Sequence, residues 1–262
     1  METKKVIGRR RFSMTITTLA FVFLYLPIVA LIVLSFNSAR QGVTWTRFTL
    51  KWYSELFRQA DVWRAFLNTV IIALTSSLAA TAIGTFSAMA LYWYQSRLKG
   101  YLGILVYTPL IIPDILMGVS MLIFFVAVGV PLGLFTIFVA HVTFCVSYVT
   151  VTVMTRLEDF DYSVVEAARD LGAKTHEVFR KVIVPIIMPG IIAGFLLSLT
   201  LSIDDFVITF FVAGPGSTTL PLKIYSMIKF GVSPVINALS TLLLVGTMFI
   251  SFFGSRFRNL IF

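Results

Sequence analysis

Five long stretches of this chain carry no formal charge: residues 12–39, 65–96, 115–155, 182–203 and 230–255. Crossing ~30 Å of hydrocarbon at 1.5 Å per residue takes about 20 apolar residues, and each run is longer than that. Composition agrees, with 58% hydrophobic and 13% charged residues, whereas a soluble domain carries about a quarter charged. The chain reads as an all-α polytopic membrane protein.

The run 115–155 is too long for one crossing, and "GVPLG" at 129–133 divides it, because proline and paired glycines favour a tight turn. Six transmembrane helices are predicted, at about 13–37, 66–95, 101–128, 134–155, 184–212 and 235–255, in one domain spanning 1–262. With the N-terminus inside, cytoplasmic segments hold fourteen of the 21 lysines and arginines, so the positive-inside rule places both termini in the cytoplasm. That bias accounts for the +9 net charge without nucleic acid as a partner. The first run follows Lys4, Lys5, Arg9, Arg10 and Arg11 but far exceeds the ~7–15 apolar residues of a secretory signal, and reads as a retained helix. A single cysteine, Cys145, excludes an internal disulfide framework and a cysteine-based metal cluster.

Two polar connections interrupt the apolar text. The outer one, 39–64, mixes Trp45, Trp52, Tyr53 and Trp63 with charges, as an interfacial amphipathic piece does. The inner one, 156–181, holds six of the twelve acidic residues. There Ser163 precedes Glu166 by three, a capping-box spacing that predicts a short helix stopped by Gly172. A second short helix is predicted from about Thr175 to Val182, ahead of Pro185. A helix–glycine–helix protruding from a membrane suits docking into a groove on a soluble partner.

Three acids lie in or beside the apolar runs: Asp114, Asp204 and Asp205. A carboxylate at the bilayer centre costs at least ~2.5–3.5 kcal/mol on insertion scales, so intramembrane acids mark function by default. In straight helices, Asp114 would sit about 20 Å and the pair 24–30 Å into their spans at 1.5 Å per residue. Ser198, Ser202, Asp205 and Thr209 recur at helical spacing as one polar stripe, with Asp204 about 100° round from Asp205. One acid is thus free to bind cargo while the other caps a break or meets a partner. The predicted membrane core has no basic residue, which favours cationic over anionic cargo. Ammonium groups pair with carboxylates, and aromatic faces add ~0.5–2 kcal/mol each.

The stretch Glu166-Ala167-Ala168, three residues, Gly172, nine residues, then Val182-Ile183-Val184-Pro185 resembles the EAA motif of ATP-binding-cassette (ABC) importer permeases. Valines replace that pattern's Ile and Leu at 182 and 184 and leave the spacing intact. Further stretches, among them "FNSAR", "TLKWYSELF", "PDILMGVSMLIFF" and "LSIDDFVITFFVAGP", are similar to permeases of spermidine/putrescine importers, the likeness running from Pro27 to about Val245. The resemblance implies a type I ABC importer permease fold in a bacterial inner membrane, with 156–182 as the coupling segment and Glu166, Ala167, Ala168 and Gly172 as its ATPase contacts. It implies Trp52 as a substrate or receptor contact, beside Asp114, Asp204, Asp205 and Ser202 in cargo binding. Its implied partners are a second homologous permease, a homodimeric ATP-binding subunit that uses ATP and Mg, and a periplasmic polyamine receptor.

This chain carries no cofactor or phosphate loop in that reading: "GAKT" at 172–175 lacks the required glycines, and "HEVFR" lacks the second histidine of a zinc protease. His141 and Cys145 share a helical face, and "GIIAG" at 190–194 is a small-residue packing face. Other readings are a same-family permease for another solute, a proton-coupled secondary carrier, or an intramembrane protease using Ser120 and His141.

Overall fold

The computed structural model describes residues 2–39, 44–93, 98–229 and 233–261; the basic side chains counted at both ends, and Arg97, lie outside the described residues. Among the described residues the regular structure is helical, with one isolated bridge between Asn37 and Phe48. The helices are α1 (Glu2–Ser35), α2 (Lys51–Arg58), α3 (Ala60–Trp93), α4 (Leu98–Ile111), α5 (Asp114–Ala127), α6 (Leu134–Glu158), α7 (Ser163–Asp170), α8 (Thr175–Val178), α9 (Val184–Asp204), α10 (Val207–Val212), α11 (Leu220–Lys229) and α12 (Pro234–Ile261). A π-helical turn, Phe179–Ile183, joins α8 to α9. Phe12–Ser35, Ala60–Trp93, Leu134–Glu158 and Thr175–Asp204 are each long and apolar enough to cross a membrane, and Pro234–Phe249 is a shorter apolar helix. The turn expected at 129–133 falls between α5 and α6, with Gly129 at φ +70.

Two of the six expected spans are not straight. Residues 101–128 divide into α4 and α5, bent by 116°. Pro113 is the cause, since it lacks an N–H and steers Ile112 away from helical geometry. The expected helix 184–212 stops at Asp204; Asp205 is extended, with ψ 120, and α10 begins at Val207. Depths measured along straight rods therefore do not hold for Asp114, nor beyond Asp204. Irregular backbone survives at membrane depth only where protein or a lined cavity surrounds it.

One compact unit comprises residues 1–60 and 224–262. Within it α12 packs against both α1 and α2. Side chains 12–30 of α1 are all exposed, as a lipid or partner surface requires. After α1 the chain folds back on Asn37, whose Oδ1 accepts the Thr46 N–H at 2.9 Å and whose carbonyl accepts the Trp52 indole N–H at 2.7 Å.

The other unit, residues 61–223, holds the larger core, in which α6 packs chiefly against α9. The small-residue face does make this contact. A β-carbon on Gly190 would stand 2.8 Å from Arg156 Cγ, and one on Gly194 3.2 Å from Val149 Cγ1. Without a hydrophobic driving force in lipid, such close backbone approach and its dispersion contacts hold the helices together. α10 packs on α5, and both broken helices meet at this junction.

Candidate functional site

The junction encloses a cavity of about 260 Å³ lined by Asp114, Phe144, Tyr148, Thr200, Leu201, Asp204, Asp205, Phe206, Val207 and Ile208. All three intramembrane acids thus reach one space, although Asp204 follows Asp114 by 90 positions in sequence. Each break delivers its acid: Asp114 is the first residue of α5, and Asp204 the last of α9.

The acids divide into two kinds. Asp205 Oδ2 accepts the Thr209 N–H at 2.8 Å and the Thr209 hydroxyl at 2.6 Å, and Oδ1 accepts the Ile208 N–H at 3.3 Å. It therefore caps α10, satisfying amides that the break would otherwise strand. His141 Nε2 lies 3.2 Å from the same carboxylate. Asp114 and Asp204 are exposed and have no hydrogen bond or ion pair among the described residues. They are the two carboxylates available to a ligand. Among the described residues no lysine or arginine lines the cavity, while Phe144, Tyr148 and Phe206 supply ring surface, a combination that suits a cation with apolar linkers.

Ser202 lies behind this wall, 3% exposed, with its hydroxyl 2.6 Å from His141 Nδ1 and 3.1 Å from Ser76 Oγ. Trp52 is 3% exposed, has its indole N–H on the Asn37 carbonyl, and is not among the described residues that line the cavity.

The segment between α6 and α9 has two faces. Val165, Val178 and Phe160 are buried together, packed by Ala168, Ala173, Val182 and Ile183. Glu166, Ala167 and Gly172 face outward, Ala168 is half-buried, and Gly172 makes the turn at φ +84. Leu171 projects with 89% exposure. The helix does begin at Ser163, but no side-chain cap forms there; instead Asp161 Oδ1 accepts the Ser163 N–H at 2.9 Å. That bond holds the Asp161 carboxyl below its usual range. The second expected helix is α-helical only over Thr175–Val178 before the π-helical turn. A larger cavity, about 790 Å³, opens between the end of α3 and this segment, but among the described residues Arg169 lines it and no carboxylate does.

Residues 80–261, more than half of the chain, match the family model described as "Binding-protein-dependent transport system inner membrane component". The chain belongs to this family. It is 46% identical over 228 residues, 87% of this chain and 86% of its relative, to the spermidine/putrescine transport system permease protein PotC of Escherichia coli (strain K12). It is 42% identical over 246 residues, 91% and 87%, to the putrescine transport system permease protein PotI of the same organism. Its fold resembles a chain of a bacterial ABC transporter involved in the import of the acidic polysaccharide alginate, with TM-score 0.74 and 15% identity over 94% of this chain and 96% of that one. The permease is thus an inner-membrane transport component with the fold of type I ABC importers.

Sequence reasoning missed three features of the permease's site. Tyr148 follows His141 by seven and Cys145 by three, so the face already noted could have included it. Thr200 stands one helical turn before Asp204, at i, i+4 on α9, so spacing could have found it, whereas Phe206 reaches the cavity only through the break. The partnership of Ser76 with Ser202, 126 residues apart, left no sequence signal.

Proposed function

We propose that this permease moves polyamines of the spermidine and putrescine class from periplasm to cytoplasm as one transmembrane subunit of an ATP-driven importer. The observation that carries the reading is the pair of unpartnered carboxylates, Asp114 and Asp204, facing one aromatic-lined cavity at the meeting of two broken helices. Identity of 42–46% to polyamine permeases over most of the chain supports the cargo class. Ammonium groups would pair with Asp114 and Asp204, and the methylene linker would lie along Phe144, Tyr148 and Phe206. Asp205 keeps the break in shape rather than meeting cargo directly.

Six crossings with both termini in the cytoplasm complete the proposal, the sixth running within α12. The exposed face of α7, with Glu166, Ala167 and Leu171, would dock on an ATP-binding subunit present in two copies, where ATP and Mg are used. A second permease would close the conduit, and a periplasmic receptor would deliver the polyamine. Trp52 is proposed to brace the hairpin after α1, on the receptor's side of the membrane. Cargo held equally in both conformations would shift nothing, so the carboxylates must grip more weakly in the inward-facing state.

The test is uptake of labelled putrescine and spermidine by proteoliposomes containing the assembled complex. Asp204→Asn and Asp114→Asn are expected each to raise KM by ~10-fold or more, since a charge-assisted hydrogen bond contributes roughly 1.5–3 kcal/mol. Unchanged KM in both variants would overturn the cargo site.

A further inference from the structure

We propose that His141 is the positioning residue of the cargo site, clamping the break between α9 and α10 so that Asp204 is aimed into the cavity. The inference rests on the cargo reading above and concerns a residue that does not itself line the cavity.

His141 stands on α6, is 1% exposed, and uses both ring nitrogens. Nδ1 lies 2.6 Å from Ser202 Oγ, before the break. Nε2 lies 3.0 Å from Thr209 Oγ1 and 3.2 Å from Asp205 Oδ2, at and beyond it. The two non-helical residues, Asp205 and Phe206, are therefore bracketed by one rigid ring. The Thr209 hydroxyl already donates to Asp205, so both oxygens facing Nε2 are acceptors and Nε2 carries the hydrogen.

The far side of the clamp is braced as well. Ser76 of α3 lies 3.1 Å from Ser202 Oγ and 2.7 Å from the Ile72 carbonyl, so its one hydroxyl hydrogen can turn to Ser202 while Ser202 donates to Nδ1. In hydrocarbon no water can replace a lost partner, so the members of such a network hold one another in a single arrangement. Asp204 has no partner among the described residues, so its direction is set by the backbone at the last turn of α9. The clamp fixes that turn.

The experiment measures KM and kcat for putrescine uptake by the full complex in proteoliposomes. His141→Phe keeps a ring and removes the contacts of both nitrogens; it is expected to raise KM by ~10-fold with a smaller change in kcat. His141→Gln, whose amide can still donate toward Thr209 and Asp205, should recover to within ~3-fold of the parent. In an Asp204→Asn background, His141→Phe should add nothing further, because the residue acts through Asp204. Unchanged KM in His141→Phe, no recovery in His141→Gln, or losses that add in the double variant would each overturn the proposal. If His141→Phe does not assemble, Ser202→Ala removes the hydroxyl that meets Nδ1 and Ser76, leaves Nε2 on Thr209 and Asp205, and is judged by the same additivity rule. An Asp204→Asn variant with parental KM places the fault in the cargo reading itself, whereas altered Asp204→Asn with additive losses sinks only the clamp.

Discussion

Gly118 of α5 lies so close to Phe211 of α10 that a β-carbon on it would stand 2.7 Å from the ring's Cδ2 and 3.3 Å from the Ile208 Cα. This contact joins the half-helix that begins at Asp114 to the half-helix capped by Asp205. The width of the cavity between the breaks depends on that approach. Gly118→Ala is expected to cost ~1–3 kcal/mol as overpacking and to cut polyamine uptake strongly, because a ring can swing but the Ile208 backbone cannot. Phe211→Leu in that background should recover part of the loss. Transport at the parental rate by Gly118→Ala would show that the two halves are not held by this contact.

Asp204 and Asp205, neighbours in sequence, should fail in different ways. Asp205→Asn weakens an acceptor for the Thr209 and Ile208 amides and for His141, so the expected damage is to stability: a cap contributes ~0.5–2 kcal/mol, visible as a lower apparent Tm of the purified complex. Asp204→Asn, with no partner to lose, should leave that Tm within error and change KM. Thermal melts beside uptake kinetics decide it, and matching losses of Tm in both variants would contradict the division.

The sequence made the helices legible because a bilayer leaves a spanning chain little else to form, and the turn at 129–133 because proline and glycine declare it. It hid the breaks. Pro113 stood inside an apolar stretch and read as part of a span, yet it turns the chain by 116°. The stripe of Ser198, Ser202, Asp205 and Thr209 assumed a regular helix; Asp205 leaves the helix, and the stripe partly survives because Ser202, Asp205 and Thr209 all converge on His141. Ser163 and Glu166 located a helix start correctly for a reason that does not hold, since Asp161 supplies the bond there. Capping is read from spacing, but which side chain wins is settled by local backbone geometry. The cargo acids were legible as residues, and their shared cavity was not, because it depends on how two breaks pack.

Leu171 offers an anchor that spacing alone did not reveal. An 89% exposed leucine at the tip of a short helix whose other face buries Val165 is placed to enter an apolar pocket on a partner. Burying a leucine contributes about 1.5–3 kcal/mol, so Leu171→Ser should weaken retention of the ATP-binding subunit by roughly 10-fold or more. Co-purification at increasing dilution measures this. Val165→Ser should also weaken retention, but by loosening α7 from its own chain, so its loss should come with faster amide exchange in 163–172, which Leu171→Ser should not show.

Val149 of α6 is fully buried between two glycines, and the two contacts predict opposite rescue behaviour. A β-carbon on Gly194 would meet Val149 Cγ1 at 3.2 Å, with Val149 Cα at 3.4 Å and Cβ at 3.6 Å. A β-carbon on Gly84 would meet Val149 Cβ itself at 2.7 Å and the Val146 carbonyl oxygen at 3.0 Å. Val149→Ala removes the γ-carbons and nothing else. It should therefore relieve Gly194→Ala, whose closest clash disappears, and leave Gly84→Ala destabilised by ~1–3 kcal/mol, because the β-carbon and the carbonyl remain. Apparent Tm values of the three single and two double variants form two cycles that read this out. Equal rescue in both cycles would mean that α3 and α9 do not grip Val149 from the two sides in this way.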